Sequence, residues 1–204
     1  MSVAPDTETE MVSSAAMKAS SRSPAHDQLR SSTHHLHQLI DSHFDLAAIS
    51  SEVGYPAFLL ASWPFAAIEV ALEGAGIHGV LPDWDKRRRR EALALDLRHC
   101  GIEPPCLNRL EIAPDHGTLL GWSYVLEGSR LGASMILQAM NKSSEQPARA
   151  THFLHHGDGE YLWQSYKAAL STIDCDPRAI SNACEGAKLA FHCLLADEAL
   201  RPCP

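Results

Sequence analysis

Apolar residues recur at helical spacing along most of the chain. Leu29, Thr33, Leu36, Ile40 and Phe44 fall three or four residues apart, with Leu39 widening the stripe, which predicts an amphipathic helix from about Asp27 to Phe44. A second helical stretch covers about Ser51 to Leu72, with Pro56 and Pro64 as kinks or boundaries and Gly74 and Gly76 as its end. A third is expected from about Asp83 through "KRRRREALALDLRHC" to Gly101, its apolar side formed by Leu93, Leu97 and Cys100. "IEPPCLNRLEIAPDHG" reads as a proline-rich loop, and a long apolar helix follows from about Gly117 to Met140. "NKSSEQPARA" is a polar connection, and "HFLHHGDGEYLW" opens as a loop before Leu162, Tyr166 and Leu170 restore helical spacing. The last helix runs from about Pro177 to Leu200, with Ala179, Ala183, Ala187, Ala190, Phe191 and Leu194 on one side. No strand-like alternation occurs, so an all-α, single-domain helical bundle is expected over residues 26–204. The Ser/Ala/Thr-rich stretch 1–25 reads as a flexible N-terminal tail.

Composition narrows this picture. The chain has 204 residues, 45% of them hydrophobic, enough for a substantial core. A net charge of −8 argues against a general nucleic-acid binder, because that affinity rests on neutralising phosphates. "KRRRR", Lys86–Arg90, reads as a solvated face, since a helix spreads five consecutive residues around its circumference; docking of an acidic electron donor is the other use for it. The six cysteines show neither C-x-x-C nor zinc-type spacing, and with no export signal they fit a reducing cytoplasm. "YPAFLLASWPFAAIEVAL" is too short and too broken by proline to cross a bilayer, so no membrane association is expected. His152, His155 and His156 lack a fourth ligand by spacing and are taken as loop residues.

Two features raise the question of chemistry. Within "LEGSRLGAS", Gly128 and Gly132 lie one turn apart, and each costs a helix interior about 0.5–1 kcal/mol relative to Ala. Either this is a seam of small residues for close helix packing, or a flat ligand lies directly on the backbone. In "THHLHQLID", His37 precedes Asp41 by four residues, so the carboxylate can accept from the imidazole nitrogen that does not bind a metal. By spacing alone His34 could take the same ligating role.

These residues carry a family resemblance. "LRSSTHHLHQLID" resembles the proximal helix of heme oxygenases, "LLGWSYVLEGSRLGASMIL" resembles the distal helix of the bacterial enzymes, and "HFLHHGDGEYLW" is similar to the loop that follows it. The resemblance implies a heme oxygenase-like helical domain with heme between proximal and distal helices. It implies His37, rather than His34, as the iron ligand with Asp41 behind it, and Gly128, Ser129 and Gly132 as the distal catalytic backbone. Arg30 and Tyr124 would contact the heme propionates. Gln164 and Ser165 stand where relatives commonly carry basic residues, leaving Lys167 as a substitute anchor.

The implied reaction is cleavage of heme, both substrate and cofactor, to biliverdin, carbon monoxide and ferrous iron. It uses O2 and electrons from a ferredoxin or an NAD(P)H-dependent reductase, and it would serve a bacteriophytochrome pathway or iron release. A heme-binding or heme-sensing protein with little turnover is the alternative. Position 130 is Arg where close bacterial relatives often have a smaller polar residue, and its place between two glycines of one face predicts that it points away from that face.

Overall fold

A computed structural model describes residues 23–43, 49, 51, 53–142 and 150–196. The described residues form helices, short 3-10 turns and loops, with no strand among them. We label the helices α1 (Pro24–His43), α2 (Gly54–Ala61), α3 (Pro64–Gly74), α4 (Arg90–His99), α5 (His116–Lys142), α6 (His152–His155, a single turn), α7 (Leu162–Leu170) and α8 (Pro177–Leu195). Most of the expected N-terminal tail (1–22), the expected first-helix end at Phe44, most of the polar connection (143–149) and the expected end of the last helix (197–200) lie outside the described residues.

The helix boundaries have local causes. α1 starts about a turn before the apolar period does, because Pro24 occupies its first position, Ala25 is buried, and the Asp174 carboxylate accepts from both Ser23 Oγ (2.7 Å) and the Ala25 backbone N–H (2.9 Å). The stretch 54–74 breaks at Ser62–Trp63, as Pro64 requires, and Pro64 then opens α3 at N1. This stretch is the one described segment apolar and long enough to span a membrane, yet 61% of it is buried inside the fold. α8 starts at an Asp176 cap whose carboxylate accepts from the Arg178 and Ala179 N–H groups.

α8 is the centre of the bundle. Both α1 and α5 pack along it, and the core between them holds Leu29, Leu120, Tyr166, Ala183, Ala187, Ala190 and Phe191. A second core, with Leu59, Leu93, Leu97, Ala133 and Phe153, joins α2, α4 and α6 to the later part of α5.

The closest helix approach lies where α5 begins. A Cβ at Gly117 would overlap the carbonyl oxygen of Ala179, a Cβ at Gly121 would overlap that of Ala183, and one at Gly186 would sit 2.8 Å from the Thr118 carbonyl oxygen. The small-residue packing seam is therefore Gly117, Gly121 and Gly186. Gly128 and Gly132 are not part of it, because a Cβ at either would meet nothing within 4 Å.

The two glycine pairs should respond oppositely to the same change. Gly121→Ala forces two backbones apart and should lower stability by the 1–3 kcal/mol typical of overpacking. Gly128→Ala should leave the unloaded protein as stable or more so, by up to about 1 kcal/mol of helix propensity. Urea unfolding followed by circular dichroism checks both; equal effects would contradict the seam.

Candidate functional site

The part of α5 beyond its seam with α8 presents an open stripe. Tyr124, Gly128, Leu131, Gly132 and Met135 lie on one side of the helix, each three or four residues from another of the set. Tyr124 is buried, whereas Leu131 and Met135 are 52% and 61% exposed beside the uncovered glycine backbone. Large apolar side chains next to bare helix backbone form a surface that water solvates poorly and that a flat apolar ligand would cover. A cleft of about 400 Å³ between Trp63, Ala67, Leu110 and Cys193 contains none of these residues.

α1 supplies the facing groups. His37 is half-buried, with its ring edge-on to Phe191 at 4.5 Å and to Tyr124 at 6.2 Å. His34 and His35 are exposed. Burial pushes the His37 pKa below 6.5, opposed by the Asp41 charge and aided by His34, so near pH 7 the imidazole is neutral and keeps a lone pair. Asp41 itself is exposed one turn further along.

Toward the start of α1, polar and basic groups converge. Tyr124 shares a side-chain hydrogen bond with Thr33, and burial raises its pKa. His26 lies edge-on to Trp163 (5.8 Å) and to Tyr124 (6.4 Å), and the charges of Lys167 and Arg30 both act on it. Arg30 and Lys167 are exposed, so both can swing toward an anion at this end of the stripe.

Behind α5, on the side away from the glycines, lies a buried charge network that pattern reasoning missed. The expected helix through Lys86–Arg90 does not form: Trp84–Lys86 is a 3-10 turn and α4 starts only at Arg90. Nor is this run a solvated face, since Arg87 and Arg89 are each 2% exposed. Arg87 clasps Asp83 through Nε and Nη2 (both 2.7 Å) and reaches Glu127 Oε2 at 3.0 Å. Buried Glu69 accepts from the backbone N–H groups of Arg89 (3.0 Å) and Arg90 (3.1 Å), so a carboxylate from α3 caps α4. The Arg89 guanidinium lies over the Phe153 ring at 4.4 Å and donates to the Ser129 hydroxyl and, at 3.3 Å, to the Leu126 carbonyl. Burial and the nearby Arg130 push the Arg89 pKa down to about 9, which leaves it cationic at neutral pH.

Arg130 turns into this network. It donates to the carbonyls of His156 (3.1 Å) and Arg87, and it lies 3.4 Å from Glu127. Gly157, at φ +85°, carries the loop around its guanidinium. Arg130 thus points away from the glycine stripe, as its helix position predicts. Ser129 also faces the network rather than the stripe, held between Arg89 and its own donation to the Leu126 carbonyl (2.7 Å). Arg87 and Arg89 could have been suspected from the acids Asp83, Glu69 and Glu127 that need partners, but nothing local in "KRRRR" marks which arginines are buried.

Comparison with known proteins places this arrangement. A family model described as heme oxygenase matches residues 106–195. A heme oxygenase of Xanthomonas campestris pv. campestris (strain 8004) is 31% identical over 140 residues, which cover 64% of this chain and 76% of the relative. The chain belongs to the heme oxygenase family. The fold agrees: the crystal structure of the NO- and CO-bound heme oxygenase from Neisseria meningitidis superposes with a TM-score of 0.69, covering 83% of this chain and 87% of that one at 22% identity. The family match by model starts at Cys106 and so takes in the glycine stripe of α5 but not α1.

Acid should weaken the heme-free fold through its partly buried histidines. Burial and the Arg130 and Arg89 charges hold His156 down to about 4, and His26 and His37 are lowered too, mainly by burial. Between about pH 6.5 and 4 the unfolded chain binds more protons at these sites than the folded one, so stability is full above that window and falls as pH drops through it. Urea midpoints measured from pH 7 to 4.5 should decline, and His156→Gln should flatten the decline; an unchanged slope would show that His156 is not buried beside Arg130.

Proposed function

We propose that the protein binds heme between α1 and the open stripe of α5 and cleaves it to biliverdin, carbon monoxide and ferrous iron, using O2 and electrons from a ferredoxin or an NAD(P)H-dependent reductase. The observation that carries this reading is the glycine stripe left bare on α5 while a neutral, half-buried His37 stands on the facing helix, in a chain of this family. The residues present suit the group. A planar macrocycle needs backbone without side chains on one face, an imidazole lone pair on the other and cations for its two carboxylates.

Each residue then has a physical task. His37 would hold the iron, because desolvation keeps its ring unprotonated, and Asp41, whose charge acts on that ring, would orient it from one turn away. Gly128 and Gly132 would leave α5 bare enough for a flat ring to rest on it with room for a small diatomic substrate. Ser129 is a positioning residue: clamped by Arg89, it fixes the backbone between the two glycines. Leu131 and Met135 exclude water from the rim once covered. Arg30, Tyr124 and Lys167 receive the propionates by charge-assisted hydrogen bonds, which sets the in-plane orientation of the ring. Cytoplasmic operation fits the five described cysteines, none of which forms a disulfide.

Hemin added to the purified protein should give a Soret band. Ascorbate or a reductase system should then bleach it as biliverdin absorbance grows. His37→Ala should abolish the axial-histidine spectrum while His34→Ala leaves it nearly intact; the reverse would overturn the assignment. A Soret band that survives the reductant would mean a heme-binding protein without turnover.

A further inference from the structure

We propose that His99 and His152, backed by Asp96, form a binding site for a divalent first-row transition metal on the outer face of α4 and α6, separate from the substrate stripe. The three residues place one donor atom each within 4.8 Å of one another, although His99 and His152 are 53 positions apart in sequence. Their imidazole rings lie 5.9 Å apart and only 26° from parallel.

Hydrogen bonding fixes both tautomers in the state that binds a metal. His99 Nδ1 lies 2.9 Å from the Leu95 carbonyl oxygen, which can only accept, so Nδ1 carries the proton and Nε2 keeps its lone pair. His152 Nδ1 lies 2.7 Å from Asp96 Oδ1 and donates to it, so in the neutral ring the lone pair sits on Nε2. Asp96 is wholly buried, and its position is set by the His152 and Phe153 backbone N–H groups it accepts from at 3.2 and 2.8 Å. A fixed carboxylate behind a histidine raises the basicity of the far nitrogen and offsets the charge of a bound cation. Both imidazoles reach solvent, so water can complete the coordination.

Two imidazole nitrogens with a carboxylate behind them favour Fe²⁺, Co²⁺, Ni²⁺ or Zn²⁺ over Mg²⁺ or Ca²⁺, which prefer all-oxygen shells. A metal here also has a structural effect within reach of α5. It ties α6 to α4, and Phe153, the residue after His152, is the ring on which Arg89 lies before reaching Ser129.

The test uses the full-length, heme-free protein. Titration with Co²⁺, followed by its visible absorption, should show one equivalent that is lost in His99→Ala and in His152→Ala and kept in His34→Ala and His155→Ala. Zn²⁺ should raise the melting temperature of the parent and of the two control variants but not of the first two, with Mg²⁺ giving no rise. Far-ultraviolet circular dichroism of the exposed-histidine variants confirms that they are folded. Unchanged Co²⁺ stoichiometry in both His99→Ala and His152→Ala, no Co²⁺ absorption in the parent, or an equal melting shift with Mg²⁺ would each overturn the site.

Discussion

The direct contact of backbone between α5 and α8 governs the rest of the structure. Gly117 and Gly121 bring α5 so close that any Cβ would collide with the Ala179 and Ala183 carbonyls, and Gly186 answers from the other helix. This fixes the rotation of α5 about its own axis. Gly121 and Gly128 are seven residues apart, nearly two full turns, so an ideal helix aims both in the same direction. They do not meet the same surroundings: a Cβ at Gly121 would overlap the Ala183 carbonyl, whereas one at Gly128 would meet nothing within 4 Å. One small-residue pattern therefore serves twice, first as a seam and then as an uncovered floor.

A floor of bare backbone is mechanically weak, since glycine gives a helix no side-chain contacts of its own. The buried ions behind α5 offset this. Glu127 and Arg130 flank Gly128 in sequence and are tied to Arg87, Asp83 and the His156 loop, while Ser129 is tied to Arg89. Charges removed from water are costly unless paired, and replacing buried ion pairs with apolar groups is often neutral or stabilising, so this network is not explained by stability alone. Its directional bonds do something apolar packing cannot: they hold the α5 backbone in one register while leaving the opposite side empty.

The fold was largely legible in the sequence because helical periodicity follows burial on one face, and burial on one face is what α1, α5 and α8 have. The failures occur where tertiary partners override local pattern. Asp83 reads as a helix start, yet Arg87 needs it as an ion partner and Glu69, from a different helix, caps the later start at Arg90. "KRRRR" reads as a surface because nothing local shows that Glu69, Glu127 and the Phe153 ring converge on it. Among the site residues, the turn of Arg130 away from Gly128 and Gly132 follows from helix geometry, whereas spacing alone does not separate half-buried His37 from exposed His34. The meeting of His99 with His152 could not be read, since it depends on how the chain returns after residue 149 to lay α6 against α4.

The division of labour between the two faces of α5 also explains why an arginine is tolerated between the two glycines. At position 130 the side chain leaves the helix roughly half a turn from Gly128 and Gly132, so its bulk and charge are spent on the network side. A smaller polar residue there would leave the His156 carbonyl, the Arg87 carbonyl and one edge of Glu127 without this donor in a partly buried region. The open stripe needs emptiness on one side only, and the tighter the other side is bound, the less the empty side has to contribute to holding itself in shape.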